Sequence, residues 1–382
     1  MKVALVLLGR FPTDKAYGVT STATIECLNS MGHEVTVYSF DSVPHSSNVD
    51  NYKRKAFKDN NYTNFLRKQF SKNNKFVNQI YWKLYIRKYL HWVQLDCRKE
   101  HYQLIWMRNF ETFQKLSLLQ SSFLLELHSI LNNQQISFIK KYNGNLLLAP
   151  ISKKIKSQCE KIAIPHAFAP MGINSSFLAS NLEIDDYLPK LRKSKILEFV
   201  YVGKLFPGGI SKGVETLISI AKFAQKNLFD LKIKVIGGNE TEIIRFREII
   251  ARENVHTYFE LKGQQSHEIA LRELKNSDVV ILTKSTDPNY AGFPLKAMEA
   301  LASGRVTVVE ENDAYKDAFD EDAFVIWFNR DLIENIFLQI KAALNDNQLD
   351  SKLKANVEIA KKYTWINRTQ FLLAKIFKNQ PS

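Results

Sequence analysis

Three lysines stand where a parallel α/β protein would place strand ends and helix starts. Lys204 follows the strand predicted over 197–203. Lys212 follows Ser211, a predicted N-cap, and Lys296 lies in the first turn of a later helix. A cation in a first turn opposes the helix dipole by a few tenths of a kcal/mol, whereas a charge-assisted bond to phosphate contributes about 1.5–3 kcal/mol. Each lysine alone would be a solvated surface cation, but the three together predict an anion site.

Glycines adjoin these positions. Gly203 precedes Lys204, and Gly237 follows the strand predicted over 231–236. A glycine lets a ligand approach the backbone closely, although a Gly-Gly pair can also simply make a turn. The spacing of the glycine-rich loops matches neither a dinucleotide fingerprint nor a Walker motif. Because no His, Asp and Glu residues have metal-ligand spacing, metal-independent chemistry without an organic cofactor is expected.

Alternating strand-like and helix-like segments predict an α/β protein with parallel sheets. The predicted strands of the first half are 2–8, 33–39, 103–107, 122–126, 145–149 and 166–169. Those of the second half are 197–203, 231–236, 257–261, 278–283, 305–309 and 323–328. The predicted helices are 20–31, 212–227, 241–252, 266–276, 293–303 and 330–345. Ligands of such sheets bind at the carboxyl ends of the strands, where helix N-termini point.

The 382 residues suffice for two domains. We predict a first domain over 1–177 and a linker over 178–196, where the strand and helix pattern lapses. A second domain is predicted over 197–362, followed by an amphipathic closing helix in 363–382.

The positive charge is concentrated in one segment. Residues 53–100 hold 13 Lys/Arg against three acidic residues, a net +10 of the chain's +14, with aromatic residues between the cations. This mixture suits the surface of an anionic membrane, single-stranded nucleic acid, or a solvated helical hairpin. No apolar run reaches the roughly 20 residues that span a bilayer. Three scattered cysteines favour a reducing, cytoplasmic location.

Several motifs, taken in order and spacing, are familiar. They are Met31-Gly-His-Glu-Val-Thr-Val37, Leu124-Leu-Glu-Leu-His128, Ala169-Pro-Met-Gly-Ile-Asn174, Tyr201-Val-Gly-Lys204, Ser211-Lys-Gly213, Leu261-Lys-Gly263 and Gly292–Val309. Together they resemble the retaining nucleotide-sugar glycosyltransferases of family 4, over nearly the whole chain. That resemblance implies the GT-B fold: two Rossmann-like βα domains with an interdomain cleft, and a C-terminal helix that crosses back to the first domain.

The resemblance also implies roles. The second domain would bind a UDP-, GDP- or other nucleoside-diphosphate sugar, with Lys204 and Lys212 on the diphosphate and Glu299 on the ribose hydroxyls. His128 would lie near the donor sugar and the acceptor, and Gly18 would approach the diphosphate from the first domain. Further substrate contacts are expected from Arg108, Gly203, Gly237, Gly263, Gly292, Phe293, Pro294, Leu295 and Lys296. The reaction would retain the anomeric configuration by same-face attack, without an enzymatic nucleophile.

Structural alternatives stand beside these roles. His128 could be a satisfied core histidine, Arg108 an ion-pair partner, and Lys296 one half of an i,i+3 surface pair with Glu299. The family's first glutamate falls on Ala291, so a non-catalytic sugar-nucleotide-binding scaffold stays open, as does a GT-B epimerase. Asp287 lies four residues upstream and could substitute.

For the acceptor, a lipid-linked or polysaccharide glycan is expected. This favours the membrane interpretation of 53–100 over nucleic acid and a peripheral position on the inner face of the cell membrane.

Overall fold

The computed structural model describes residues 1–13, 16–41, 52–58, 75–285 and 293–378. The chain divides into two compact units, which are described separately. The first unit comprises Met1–Pro170 together with Trp365–Ser382, and the second comprises Met171–Thr364.

The first unit has a six-stranded parallel sheet in the order β3-β2-β1-β4-β5-β6. Its strands are β1 (Lys2–Arg10), β2 (Glu34–Phe40), β3 (Lys53–Phe57), β4 (Leu104–Met107), β5 (Ser122–Leu127) and β6 (Leu146–Pro150). Its helices are α1 (Ala16–Ser30), α2 (Lys75–Glu100), α3 (Phe110–Leu116), α4 (Asn133–Lys140), α5 (Lys153–Lys161) and, from the end of the chain, α14 (Trp365–Lys378).

The second unit has a six-stranded parallel sheet in the order β12-β11-β10-β7-β8-β9. Its strands are β7 (Leu197–Val202), β8 (Leu231–Ile236), β9 (Phe259–Gly263), β10 (Val279–Leu282), β11 (Val306–Glu310) and β12 (Ile326–Phe328). Its helices are α6 (Asn181–Lys193), α7 (Val214–Lys226), α8 (Glu240–Arg252), α9 (His267–Lys275), α10 (Leu295–Ala302), α11 (Asp313–Ala318), α12 (Glu334–Leu344) and α13 (Leu349–Lys362).

Both sheets follow the doubly wound Rossmann order. The strands between the edges are runs of buried apolar residues, as expected where helices cover both faces. In each unit the strand order reverses beside the first strand, between β1 and β4 and between β7 and β10. A crevice at the carboxyl ends of those strands is the usual ligand site of this architecture. The predicted α/β fold with two parallel βα sheets is confirmed.

The predicted linker over 178–196 is wrong, because most of it forms helix α6. Ser180 caps the helix and exchanges hydrogen bonds with Glu183, a capping box that stabilises its first turn. Apolar side chains at helical spacing, among them Ile184 and Leu188, are buried in the core of the second unit. The charged residues and Pro189 hid this stripe from the sequence prediction.

Two strand assignments in the first unit also differ from the prediction. Residues 166–169 form no strand, since only an isolated bridge joins His166 to Leu148. The strand Lys53–Phe57 was missed because its run of cations is atypical of a strand. It lies at the sheet edge, where charged side chains reach solvent and block pairing with other chains.

Helix α2 is partly a core element, so the aromatic residues of 53–100 do not all face solvent. Tyr85 and Tyr89 are buried, and the Tyr89 hydroxyl donates to the Leu7 carbonyl oxygen at 3.0 Å. Trp82 is exposed. Of the other aromatic positions, those in 59–74 lie outside the described residues. No helix in the part of the chain that the structure describes is long and apolar enough to cross a membrane.

The C-terminal helix α14 belongs to the first unit, as the fold prediction required. Its apolar face, including Leu372 and Ile376, is buried in the same core as strand β1. Its Arg368 is also buried, at 3% exposure. The last helix therefore completes the first domain rather than extending the second.

Candidate functional site

Three glycines lie side by side at the carboxyl edge of the second sheet. The N–H of Gly203 donates to the carbonyl oxygen of Ile236 at 2.8 Å, and that of Gly237 donates to Gly263 at 2.7 Å. Gly203 and Gly237 have φ of 149° and 118°, and a Cβ on Gly237 would collide with the Gly203 carbonyl oxygen. Only glycine fits this close backbone contact. The glycines that the sequence places after separate strands therefore lie next to one another at the same edge of the sheet.

Lys296 lies against this edge. It is the second residue of α10, and a Cβ on Gly203 would collide with its ammonium nitrogen. That nitrogen is 4.5 Å from the centroid of the Tyr201 ring and 3.5 Å from the Tyr201 hydroxyl oxygen. Lys296 forms no ion pair with a described carboxylate, and Oε1 of Glu299 is bonded to His267 instead. The proposed i,i+3 surface pair is therefore absent.

The surroundings of Lys296 disfavour the protonated, charged form of its amine. Burial is the main cause that lowers the pKa of its amine to about 8; Glu299 acts in the opposite direction, and the charge of Lys212 adds to the lowering. The influence of Lys212 places two lysines within electrostatic range of each other. A cation held in this way is stabilised by an arriving anion, because the anion offsets the lost hydration and the mutual repulsion.

The prediction that Lys212 lies in the first turn of a helix is wrong. Helix α7 begins at Val214, with Gly213 as its N-cap in the left-handed conformation, so Lys212 precedes it. Ser211 instead donates to Glu215 and accepts from the Gly213 N–H.

The side chain of Lys212 still remains at the carboxyl edge. Its ammonium donates to the Ser285 hydroxyl at 3.0 Å, beyond the end of β10. Lys204 is exposed directly after Gly203.

Glu299 is buried in the second turn of α10 and partnered by a histidine. Its Oε1 is 2.8 Å from Nε2 of His267, the first residue of α9. Burial of the ring opposes protonation, but the hydrogen bond and charge of Glu299 outweigh it and raise the pKa of His267. Within the described ranges, Oε2 of Glu299 has no hydrogen-bond partner. One carboxylate oxygen is thus fixed and the other is available.

The residues that lead into α10 are only partly described. Phe293 and Pro294 are buried, Pro294 is the N-cap, and Leu295 begins the helix. Gly292, predicted to contact substrate, lies outside the described residues. So do Ala291, at the position of the family's first glutamate, and Asp287, its suggested substitute.

In the first unit, Arg108 and Gly18 come together at the carboxyl edge of the sheet. Arg108 follows β4, and its guanidinium donates to the Thr20 hydroxyl at 2.7 Å and to the Tyr17 carbonyl oxygen at 3.3 Å. Gly18 lies in the first turn of α1 rather than in a loop. A Cβ there would collide with the Thr13 carbonyl oxygen, which explains the glycine sterically.

A buried carboxylate joins Arg108 to His128. Glu126, near the end of β5, is fully buried and forms ion pairs with Nε of Arg108 at 2.9 Å and with Arg368 at 2.8 Å. It also accepts from the Trp106 indole at 3.1 Å, and Nε2 of His128 lies 3.2 Å away. Despite its burial, the two guanidinium groups hold the pKa of Glu126 well below its usual range. Arg108 thus has the ion pair that its structural alternative proposed.

The sequence interpretation did not identify Glu126, His267 or Arg368. Glu126 carried a signal, since a carboxylate within a buried apolar strand requires compensating cations. His267 and Arg368 carried none, because each meets its partner only through folding. The described ranges contain no group of three or more His, Cys, Asp or Glu side chains that could hold a metal ion. Metal-independent chemistry therefore stays a prediction.

Comparison with known families and structures identifies the architecture. Residues 184–360 match the model of the family described as glycosyl transferases group 1. No curated protein sequence matches the chain significantly.

Solved structures resemble the chain over essentially its full length. A glycosyltransferase from Rickettsia africae ESF-5 is 14% identical, with TM-score 0.70 and 99% of each chain covered. Anabaena Alr3699/HepE, solved in complex with UDP and glucose, is 12% identical, with TM-score 0.67, and 99% of this chain and 100% of that chain are covered. The lipopolysaccharide outer core galactosyltransferase WaaB, in apo form, is 14% identical, with TM-score 0.65 and full coverage of both chains. The two parallel sheets are those of GT-B glycosyltransferases.

Proposed function

We propose that the chain is a glycosyltransferase that moves a sugar from a nucleoside-diphosphate sugar to a glycan acceptor, with the donor bound to the second unit. The observation that carries this proposal is Lys296, which is held against Gly203 at the reversal point of the sheet with no ion-pair partner among the described residues. Its environment disfavours the charged form. A diphosphate at this edge would stabilise that charge and would also face Lys204 and Lys212.

The same cations serve the chemistry. When the bond from the anomeric carbon to the donor phosphate breaks, negative charge grows on the departing nucleoside diphosphate. Fixed cations in a site with little water stabilise such charge strongly. Lys212 is aligned for this by its bond to Ser285, and Lys296 by the Tyr201 ring. Lys204 is the exposed member and is free to approach the ligand from solvent.

Glu299 is the proposed ribose contact. A carboxylate accepts hydrogen bonds from two hydroxyls most readily when both of its oxygens are available. In Glu299, however, Oε1 is already bonded to His267. The available Oε2 would accept from one ribose hydroxyl. The family resemblance of the segment Pro294-Leu-Lys-x-x-Glu299 supports this assignment.

The stereochemical course is proposed from the family resemblance. Retention would follow from same-face attack by the acceptor hydroxyl, whose proton passes to the departing phosphate. No enzymatic nucleophile is invoked, and His128 and Arg108 are assigned to the acceptor side. A hexosyl donor of family 4 type is the expected substrate, and UDP-glucose is a reasonable first choice because the HepE structure holds UDP and glucose.

A panel of UDP-, GDP- and other nucleoside-diphosphate sugars tests the function directly. Release of the nucleoside diphosphate, with and without glycan acceptors, should identify a donor, and NMR of the product gives its anomeric configuration. Binding of a nucleoside diphosphate without turnover of any donor would instead indicate the scaffold alternative. Conversion of a nucleotide sugar to its epimer would indicate the epimerase.

The proposed lipid-linked acceptor gives helix α2 a role at a membrane surface. Ile80 and Leu84 are each 45% exposed, and Lys83 and Arg87 lie beside them on the exposed side of the helix. Lys55, in contrast, pairs with Asp96 and Glu100 and is not part of this surface. Exposed apolar side chains among exposed cations are suited to the headgroup region of anionic lipid.

Cosedimentation with vesicles tests the membrane role. Anionic vesicles should retain the protein at low salt and release it as salt rises, because the surface potential decays over about 10 Å at 0.1 M. Lys83→Gln with Arg87→Gln should weaken retention, whereas Lys226→Gln on the second unit should not. Equal binding to neutral vesicles would contradict the proposal, and tighter binding to single-stranded DNA would favour the nucleic-acid alternative.

A further inference from the structure

We propose that Glu126 is a positioning residue that fixes the tautomer of His128, leaving Nδ1 of the imidazole as the hydrogen-bond acceptor for a substrate hydroxyl. The proposal deepens the proposed function, on which its substrate half rests. Its structural half concerns only side chains of the first unit and stands independently of any activity.

The surroundings of Glu126 favour its ionised form. The carboxylate is fully buried, but each of its oxygens faces a guanidinium: Oε2 faces Arg108 at 2.9 Å and Oε1 faces Arg368 at 2.8 Å. The indole N–H of Trp106 donates to Oε1 as well. Since the carboxylate lies between two positive charges and accepts the indole hydrogen bond, its unprotonated form is favoured.

The Glu126 carboxylate orients the imidazole of His128. Nε2 of His128 lies 3.2 Å from Oε2 of Glu126. A carboxylate that only accepts requires a hydrogen on Nε2, so in the neutral ring Nδ1 has none and accepts. Within the described residues Nδ1 has no hydrogen-bond partner, and the His128 side chain is 35% exposed. An unpaired acceptor on a half-exposed ring is available to a ligand.

The second cation that faces Glu126 comes from the C-terminal helix. Arg368 comes from α14, the helix that returns from the second unit, and its guanidinium also donates to the carbonyl oxygen of Pro170 at 2.8 Å. This bond anchors the guanidinium where the first unit ends. The C-terminal helix therefore supplies one of the two cations that face Glu126, the carboxylate that orients His128.

Nitrogen-15 NMR of the full chain with labelled histidine measures the tautomer directly. His128→Gln assigns the signal by its loss. We expect wild-type His128 to carry hydrogen on Nε2 and not on Nδ1. In Glu126→Gln, the neutral amide can donate as well as accept, so the ring should change to a mixture of tautomers. Glu198→Gln, at a half-buried carboxylate paired with Lys234 in the second unit, is the matched control and should leave the His128 signal unchanged.

Turnover tests the substrate half. His128→Gln keeps an N–H that can reach Glu126 but removes the acceptor at Nδ1, so the fold should persist. We expect kcat to fall about tenfold to a hundredfold in this variant and in Glu126→Gln, as when the partner that orients a functional histidine is lost. The affinity for the donor nucleotide should not change, because the donor lysines belong to the second unit.

Three results would overturn the proposal. One is hydrogen on Nδ1 in the wild-type protein, and another is an unchanged tautomer in folded Glu126→Gln. The third is wild-type kcat in His128→Gln. If Glu126→Gln does not fold, the wild-type tautomer and His128→Gln decide. If no donor is turned over at all, the proposed function fails, while the tautomer measurements still decide whether Glu126 positions the ring.

Discussion

The two units use buried charge in opposite ways at the carboxyl edges of sheets with the same strand order. In the first unit, Glu126 is surrounded by Arg108 and Arg368, and the charges satisfy one another within the protein. In the second unit, the partly buried Lys296 lies within electrostatic range of Lys212 and has no ion-pair partner among the described carboxylates. A cluster in which opposite charges compensate one another stabilises the fold and orients neighbouring side chains. A cluster of like charges is compensated only when an anion binds.

This difference predicts a separation of stability from activity. Substitutions in the first cluster should affect folding, whereas substitutions of the lysines in the second unit should affect ligand binding and leave folding unchanged or improved. The following variants test that separation, from the largest expected effect to the smallest.

The double variant Lys204→Ala with Lys212→Ala should show the greatest loss of activity. Each lysine would contribute about 1.5–3 kcal/mol through a charge-assisted bond to the diphosphate, so turnover should fall by roughly two to four orders of magnitude. Thermal unfolding should be nearly unchanged. Donor turnover and unfolding are measured on the same samples, with Lys226→Ala as the exposed-lysine control. Wild-type turnover in the double variant would contradict the assignment of these lysines to the diphosphate.

Arg368→Ala should cause the largest loss of stability. Removing one partner of a buried ion pair leaves an uncompensated charge and destabilises a protein by about 3–5 kcal/mol. Urea unfolding measures this free energy. Arg192→Ala, at an exposed arginine, should have little effect. If Arg368→Ala lowers the free energy of unfolding by less than about 1 kcal/mol, the charges of the first unit do not stabilise the fold by compensating one another.

Glu299→Gln should weaken donor binding while the fold persists. The amide keeps the shape but offers a neutral acceptor to the ribose, so affinity should fall roughly tenfold to a hundredfold, corresponding to about 1.5–3 kcal/mol. Titration calorimetry with the nucleoside diphosphate measures the change. The opposite pattern, lost stability with unchanged affinity, would make Glu299 a structural partner of His267 only.

The lowered pKa of Lys296 predicts that the protein takes up protons when the diphosphate binds. Its pKa of about 8 lies below its usual value, so near pH 8 the amine is half charged. A bound diphosphate favours the charged form, and binding should therefore take up about half a proton per donor. Calorimetry in buffers of different ionisation enthalpy measures the uptake, which Lys296→Met should abolish.

The same pKa has a consequence for folding. The folded pKa is below the unfolded one, so the charged amine opposes folding below about pH 8, and the penalty declines between that pH and the usual pKa. Lys296→Met should leave stability at pH 7 unchanged or raised. A clear loss of stability would show that the contact of the amine with the Tyr201 ring outweighs the cost of its lost hydration.

His267 should contribute the smallest effect. Its pKa is raised by Glu299, so the pair adds stability below the unfolded value of about 6.5, and that contribution is lost as pH rises through the folded pKa. Because the ring is 45% exposed, less than about 1 kcal/mol is expected. His267→Asn should remove this component of the pH dependence of unfolding. An identical profile in the variant would show that the pair does not affect folding.

Much of the fold was predictable because its signals are local. Buried apolar runs such as Leu104–Met107 and Val279–Leu282 are parallel strands, and the helices between them show apolar residues at helical spacing. The errors came where a local signal misled. Helix α6 has a proline and many charges, and strand β3 consists mainly of cations.

By itself, the sequence determined the two βα units and the edge on which the lysines and glycines fall, since strand ends follow directly from periodicity. Only the tertiary structure decided which charges meet. Arg368 reaches Glu126 from the far end of the chain, and His267 reaches Glu299 from another helix. Pairing of this kind depends on distances of a few ångströms between elements remote in sequence, because the strength of a charge interaction is set by separation and burial and not by position along the chain.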